Sequence, residues 1–147
     1  MTWLVRRSCR GLPRALVYNS QMSLADASIV PYIPAADIPR ARKFYEGVLG
    51  LKVREEYAGG VIYECGNGSW VFMYPSPNAG TNKASTAFWT VADVEAEVAA
   101  LKARGVVFEE YDFPQMRTVN SIATVGGART AWFNDTEGNI LAISQRL

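Results

Sequence analysis

A strand-and-helix unit that occurs twice, 56 residues apart, constrains the fold of this chain more than any other feature. In the first copy a short apolar run leads to Asp37, and the apolar stripe that follows ends at Gly50. In the second copy the corresponding residues are Asp93 and Gly105. An Asp before an apolar stripe is typical of a helix N-cap, and a Gly behind the stripe is typical of the helix end. Two copies of one unit predict a duplicated fold with a groove that both halves build.

Each helix is followed by strand-like runs that are separated by turn signals such as Gly59-Gly60 and Asn67-Gly68. The predicted linker between the halves is 75–82, and the irregular stretch 112–129 is predicted to be a binding loop. Each half therefore has the order strand, helix and further strands, which is an α+β pattern. In the first half the predicted strands after the helix are 51–57, 61–65 and 70–74. The second half opens with a predicted strand at 86–91. After its helix come predicted strands at 106–111, near 119–125, at 130–133 and at 140–144.

Composition and charge exclude several classes of function. The chain has 147 residues and a net charge of +1, with no apolar run long enough to cross a membrane. Four of the 15 basic residues precede Met22 and all 14 acidic residues follow it, so the part from Met22 onward carries a net charge of −3. A body with this balance lacks the basic surface that nucleic acids require. We therefore expect a soluble protein that binds neither nucleic acid nor membranes.

The scarcity of cysteine and the absence of histidine narrow the chemistry. Cys9 and Cys65 are the two cysteines, which is too few for a disulfide framework, so we expect a reducing, cytoplasmic compartment. Without histidine the chain lacks the commonest metal ligand and the commonest acid-base group at neutral pH.

Residues 1–27 are predicted to be an N-terminal extension, either a transit-type segment or residues before an internal start at Met22. The domain is predicted over 28–147, with modules at 28–76 and 84–147.

Two segments together resemble a known superfamily. The sequence Lys-Phe-Tyr-Glu-Gly-Val-Leu-Gly at 43–50 and the sequence Trp-Phe-Asn-Asp-Thr-Glu-Gly-Asn-Ile-Leu at 132–141 are similar to the vicinal oxygen chelate superfamily. This group includes glyoxalase I, extradiol dioxygenases and bleomycin-resistance proteins. The resemblance covers roughly residues 28 to 145. It implies two βαβββ modules whose curled mixed sheets surround a cleft, in a protein that is usually a homodimer.

The resemblance also implies where a metal would bind in the metal-using members. The corresponding positions here are Val30, Phe72, Thr86 and Ala142. Divalent ions need imidazole, thiolate or carboxylate donors, and these side chains offer only one hydroxyl. We therefore expect no metal and no other cofactor, and no metal-dependent glyoxalase or dioxygenase activity.

The same register predicts which side chains face the cleft. If Val30 points inward, strand alternation turns a set of mostly aromatic residues inward with it. Such a wall suits a small, partly aromatic or hydrophobic organic molecule, as in the bleomycin-resistance members. Each aromatic residue alone is also explained by ordinary core packing. The predicted ligand-binding residues are Tyr32, Trp70, Phe72, Tyr74, Thr86, Phe88 and Ala142, with Arg117 in the loop as a clamp for a carboxylate.

Three other functions stay open at this level. A lyase or isomerase of the glyoxalase-like family would work without metal through one buried carboxylate among Glu109, Glu110 and Asp112, assisted by Tyr111. A metal site built from displaced carboxylates is a further alternative. In the last alternative the chain fills its own cleft and serves as a dimerising module.

Overall fold

The computed structural model describes residues 23–147, so most of the predicted extension at 1–27 lies outside the described residues. The first module contains β1 (Tyr32–Ala35), α1 (Ile38–Arg42) with a π-helical continuation (Lys43–Val48), β2 (Lys52–Tyr57), β3 (Gly60–Glu64) and β4 (Trp70–Pro75). The second contains β5 (Ser85–Thr90), α2 (Val94–Ala103), β6 (Asp112–Phe113), β7 (Met116–Val119), β8 (Ile122–Val125), β9 (Ala128–Asn134) and β10 (Ile140–Arg146).

The strands form two mixed sheets that repeat one topology. The first sheet has the order β1-β4-β3-β2, and the second has the order β5-β10-β9-β8-β7-β6. One pair is parallel in each sheet, and its register is the same in both: Tyr32 lies opposite Phe72, and Phe88 lies opposite Ala142. These findings confirm the predicted α+β fold with two related modules.

Both helices begin and end where the sequence predicts. Asp37 Oδ1 accepts a 3.0 Å hydrogen bond from the backbone N–H of Arg40, and Asp93 Oδ1 accepts a 3.1 Å bond from that of Ala96. Gly50 and Gly105 follow the helices with φ angles of +72° and +91°. A side chain in this left-handed region is strained, which is why glycine stops each helix.

A single apolar core lies between the helices and one face of the two sheets. It includes alternate residues of the central strands, such as Ile33, Met73, Leu141 and Ile143. Because side chains alternate along a strand, the residues between them point to the opposite, open face of each sheet. Among the described residues, no helix covers the other face of either sheet.

Two predictions for the second module are wrong. Residues 106–111 do not form a strand, since only Phe108 makes an isolated bridge to Phe133. The stretch 112–129 is not a long loop but contains β6, β7 and β8, which pair as successive antiparallel strands. Asn120 and Ser121 adopt φ angles of +51° and +70° and make the turn between β7 and β8, so the strand expected near 119–125 is interrupted there.

Candidate functional site

Four aromatic side chains contact one another on the open face of the first sheet. The ring of Tyr32 meets the edges of Phe72 and Tyr74, each at a centroid distance of 5.1 Å. Phe72 also stacks on Tyr57 at 5.6 Å and on Tyr74 at 6.2 Å. We call this group, Tyr32, Tyr57, Phe72 and Tyr74, the aromatic face. Three of its members were predicted from strand alternation, and Tyr57 was not.

Gly59 and Gly60 lie beside the rings of Tyr57, which was not predicted, and of Phe72. A Cβ atom at Gly59 would lie 3.0 Å from the ring of Tyr57, and one at Gly60 would lie 2.9 Å from the ring of Phe72. A side chain at Gly60 is excluded, since its Cβ would also lie 2.0 Å from the carbonyl oxygen of Met73, whereas one at Gly59 would press on the Tyr57 ring. A Gly-Gly pair two residues after an aromatic residue was the available signal.

The open face of the second sheet carries a second set of predicted residues. Ala142 lies in register between Phe88 on β5 and Trp132 on β9, so the three side chains share this face. Tyr111 extends the group, with ring centroids 5.6 Å from Trp132 and 5.7 Å from Phe113. Rings are therefore present on the open faces of both sheets.

The structure does not bring all predicted site residues together within one chain. Trp70 and Phe88 line a cavity of about 570 Å³ at the junction of the modules. The other residues predicted from strand alternation do not line any of four cavities among the described residues. These residues are Tyr32, Phe72, Tyr74, Thr86 and Ala142. A single chain thus presents these side chains on separate open surfaces.

Arg117 lies apart from the aromatic face. Its Nε donates a 2.8 Å hydrogen bond to Asp112 Oδ1 across the β6–β7 hairpin. It also lines a groove with Glu95 and Val98 of α2, and Val98 belongs to the core on the helix side. Arg117 therefore has a partner on its own hairpin instead of the predicted position over a cleft.

The carboxylates considered for acid-base chemistry are occupied by hydrogen bonds. Glu110 accepts from the hydroxyl groups of Ser121, at 2.6 Å, and Thr118, at 2.5 Å. These bonds hold the pKa of Glu110 below its ordinary value, because they stabilise the charged form. Asn134 donates its side-chain N–H to Glu109. Such contacts fix the start of the second module's hairpins and leave the carboxylate of Glu110 ionised at neutral pH.

The positions that correspond to metal ligands do not fit a metal. Phe72 and Ala142 face the open sides of the sheets, and Val30 precedes β1. Within residues 23–147, no three side chains of His, Cys, Asp or Glu are grouped so that they could hold an ion. In the same range no helix has the length and hydropathy needed to span a membrane.

Similarity to solved structures agrees with this fold. The bleomycin-binding protein solved in complex with bleomycin is 19% identical, with 82% of this chain and 99% of that chain covered and a TM-score of 0.63. TnmS3, an antibiotic-binding protein from Streptomyces sp. CB03234, is 21% identical, with 82% and 98% covered and a TM-score of 0.56. A lactoylglutathione lyase from Agrobacterium tumefaciens is 20% identical, with 81% and 92% covered and a TM-score of 0.55. At these identities the likeness concerns the fold alone.

The comparison with curated proteins gave no match. The model of one protein family matches residues 27–143, which is most of the chain, and its match includes both modules. The repeated topology, the equal register of the two parallel pairs and this match agree. The chain belongs to the Glyoxalase/Bleomycin resistance protein/Dioxygenase superfamily.

Proposed function

We propose that this protein binds a small, partly aromatic or hydrophobic organic molecule without a metal ion, and that the aromatic face supplies the binding surface. The observation that carries the proposal is the contact of four rings on a surface that no helix within residues 23–147 covers. Rings arranged edge-to-face and stacked offer flat, polarisable surfaces to a planar guest. Hydroxyl groups on Tyr32, Tyr57 and Tyr74 add donors and acceptors that would orient it.

The exposure of these rings supports a binding role over plain packing. Tyr32 is 60% exposed and Tyr57 is 49% exposed, although each touches another ring. Phe72 is 8% exposed because the tyrosine rings pack around it, so the exposed part of the face is supplied by the tyrosines. Aromatic side chains that only fill a core lose nearly all contact with water, as Tyr45 and Tyr63 do at 0% exposure. Contiguous exposed apolar surface is typical of an interaction site. The aromatic face is accordingly suited to a ligand, a partner or both.

A second copy of the chain would complete the site. The second sheet also has an open face with exposed rings, including Phe88 at 65% and Phe113 at 54% exposure. Placing this face of one chain over the aromatic face of another would bury both surfaces and enclose a cleft between them. Such an arrangement explains why the predicted cleft residues occupy separate surfaces in one chain. The homodimer is part of the proposal.

Metal independence rests on the donor set. Valine, phenylalanine and alanine at the implied ligand positions have no donor atoms, and the described residues contain no substitute group of three ligands. Elemental analysis of protein purified without chelators is expected to find zinc, iron and manganese far below one ion per chain. Stoichiometric metal between the modules would contradict this part of the proposal.

Calorimetric titration tests the binding function. The probes are bleomycin and a panel of planar aromatic compounds of similar size, each titrated into the full-length protein. We expect at least one probe to bind, and Tyr32→Ala to weaken it by about three- to tenfold, since one ring contact contributes about 0.5–1.5 kcal/mol. The control is Val107→Ala, because Val107 is 81% exposed and does not belong to the aromatic face. Equal affinity in wild type and Tyr32→Ala, or no binding across the panel, would overturn the proposal.

A further inference from the structure

The two modules contain equivalent turns before their last central strands. The backbone N–H of Cys65 donates to the carbonyl of Ser69 at 2.8 Å, and the N–H of Asp135 donates to the carbonyl of Asn139 at 3.0 Å. The fourth residue of each turn is a glycine with a left-handed φ angle, +72° at Gly68 and +83° at Gly138. Turns 65–69 and 135–139 therefore share the closing hydrogen bond and the glycine, but Asn67 also has a left-handed φ angle of +56° and Glu137 does not.

The turn in the second module seals its side of the module junction. Asp135 Oδ2 accepts 2.6 Å and 2.7 Å bonds from the Tyr45 hydroxyl and from Asn139 Nδ2, and the same Nδ2 donates to the carbonyl of Pro34 at 2.8 Å. Glu137 accepts a 2.8 Å bond from the backbone N–H of Asp37. The side chains of Asp135, Glu137 and Asn139 thus bind the first module directly.

The linker covers the same junction from outside. The backbone N–H of Gly80 donates to Asn139 Oδ1 at 3.3 Å, and a Cβ atom at Gly80 would lie 2.4 Å from the carbonyl oxygen of Glu137. Backbone therefore packs directly against backbone at this point. No space for a ligand exists between the linker and the turn.

The equivalent turn in the first module has none of these sealing groups. Cys65, Asn67 and Ser69 stand where Asp135, Glu137 and Asn139 stand in the other turn. In the second module's turn, Glu137 also pairs with Arg40 of the first module, whose Nε lies 2.7 Å from Glu137 Oε2. In the repeat Leu101 stands in place of Tyr45 and Ala96 in place of Arg40. The carboxylates and their donors are both missing here, and a cavity lies at this junction.

The open junction contains a cavity of about 570 Å³, which we call the junction cavity. Ligand sites for small molecules typically occupy about 300–1,000 Å³. Its wall has no charged side chain among the described residues and combines aromatic rings with small polar groups. The residues that line it are Ser28, Ile29, Pro31, Cys65, Gly66, Asn67, Gly68, Ser69, Trp70, Val71, Ala87, Phe88, Trp89 and Thr90.

We propose that the junction cavity is a second binding site, specific for neutral planar aromatic molecules that carry a hydrogen-bonding group. Trp70, Phe88 and Trp89 supply ring surfaces, and the side chains of Asn67 and Thr90 supply donors and acceptors. The guanidinium of Arg54 lies 5.7 Å from the centre of the Trp70 ring but does not line the cavity. A charged ligand would lose its hydration without contacting an opposite charge in the wall, which disfavours its binding. The selectivity for neutral ligands follows from the uncharged wall.

This site and the aromatic face have no residue in common, although Phe88 also belongs to the open face of the second sheet that a second copy would present. Tyr32→Ala for the aromatic face and Thr90→Trp for the junction cavity therefore distinguish the failure of one proposal from the failure of the other. None of the residues of the aromatic face lines the junction cavity. The junction cavity is formed within one chain, so it needs no second copy. A change at Tyr57 is expected to leave it unaffected.

Protection of Cys65 from alkylation tests the proposal in the full-length chain with Cys9→Ser, which leaves Cys65 as the single thiol. The probes are 2-naphthamide and its charged counterpart 2-naphthoate, and the reagent is N-ethylmaleimide. We expect saturating naphthamide to slow alkylation by about tenfold, and naphthoate at the same concentration to have little effect. The added variant Tyr57→Ala is expected to retain this protection.

A cavity-filling variant gives a second readout. Thr90→Trp places an indole at the end of β5 in the cavity wall, and Thr124→Trp, at an exposed position of β8 outside the cavity, is the matched control. Calorimetric binding of naphthamide is expected to fall at least tenfold in Thr90→Trp and to be unchanged in Thr124→Trp. Equal alkylation rates with and without naphthamide would overturn the proposal. A Cys65 thiol that is unreactive in the folded, ligand-free protein would also overturn it, because the chain itself would then fill the cavity.

Discussion

The hydroxyl group of Tyr45, in the first module, donates a 2.6 Å hydrogen bond to Oδ2 of Asp135, in the second. Both side chains are buried, and the bond joins residues 90 positions apart. Burial and the neighbouring carboxylate raise the pKa of Tyr45 far above its ordinary value, so the hydroxyl remains a donor at any physiological pH. This contact fixes α1 of one module against the last turn of the other.

Replacing Tyr45 with phenylalanine tests the energetic importance of this contact. The change removes one donor and leaves Asp135 Oδ2 with only the Asn139 side chain as a partner. Because a buried acceptor that loses a partner is costly, we expect unfolding free energy to fall by about 1–3 kcal/mol in urea denaturation. The control is Tyr63→Phe, because the hydroxyl of Tyr63 donates its hydrogen bond to Glu46, which is partly exposed to water. An equal loss in the two variants would contradict the assignment.

Acid stability is expected to depend on Glu137. Burial by itself raises the pKa of this carboxyl group, but the guanidinium of Arg40 and the backbone N–H of Asp37 outweigh burial and lower the pKa below 4.5. A folded pKa below the unfolded value means that ionised Glu137 stabilises the fold above pH 4.5. That stabilisation disappears as the pH falls toward the folded pKa.

Urea denaturation of wild type and Glu137→Gln at pH 7 and at pH 3 to 4 measures this dependence. We expect the stability difference between the two proteins to shrink as the solution becomes more acidic. The variant Glu64→Gln is the control, since Glu64 lies at the exposed end of β3. A difference that stays constant with pH would show that Glu137 acts through packing only.

Two glycines are expected to respond oppositely to alanine. Gly80 has a φ angle of +73° and no room for a Cβ atom, so Gly80→Ala should destabilise the protein by at least about 1–2 kcal/mol. Gly47 lies in the helical segment with open space around it, and Gly47→Ala should stabilise by about 0.5–1 kcal/mol. Thermal unfolding of both variants checks the prediction, which fails if Gly80→Ala is as stable as wild type.

Self-association is expected from the open faces of the sheets. Light scattering of the purified protein should give twice the mass of one chain, and Tyr32→Asp should shift it toward the monomer because a buried unpaired carboxylate is costly. Val107→Asp places the same charge on a surface away from the rings and should stay dimeric. A monomeric wild type at micromolar concentration would remove the second copy from the proposed site.

Local patterns explain why much of the fold could be predicted. The Asp caps at Asp37 and Asp93 and the stops at Gly50 and Gly105 act within a single turn of chain, so they are visible in sequence. The stretch 106–111 was predicted wrongly because its apolar residues suit a strand, although it pairs with β9 only at Phe108. Whether a neighbouring strand lies close enough to pair is decided by tertiary packing.

The sequence by itself determined the duplication, the helix ends, the alternation that places Phe72 and Ala142 on open faces, and the absence of histidine donors. Only the tertiary structure decided that Tyr57 joins the aromatic face, that Asp135 and Glu137 seal one junction, and that the equivalent junction stays open. Periodicity and capping depend on neighbours within a few residues. The contacts that shape the candidate sites join residues far apart in the chain, and their geometry is fixed when the two modules pack together.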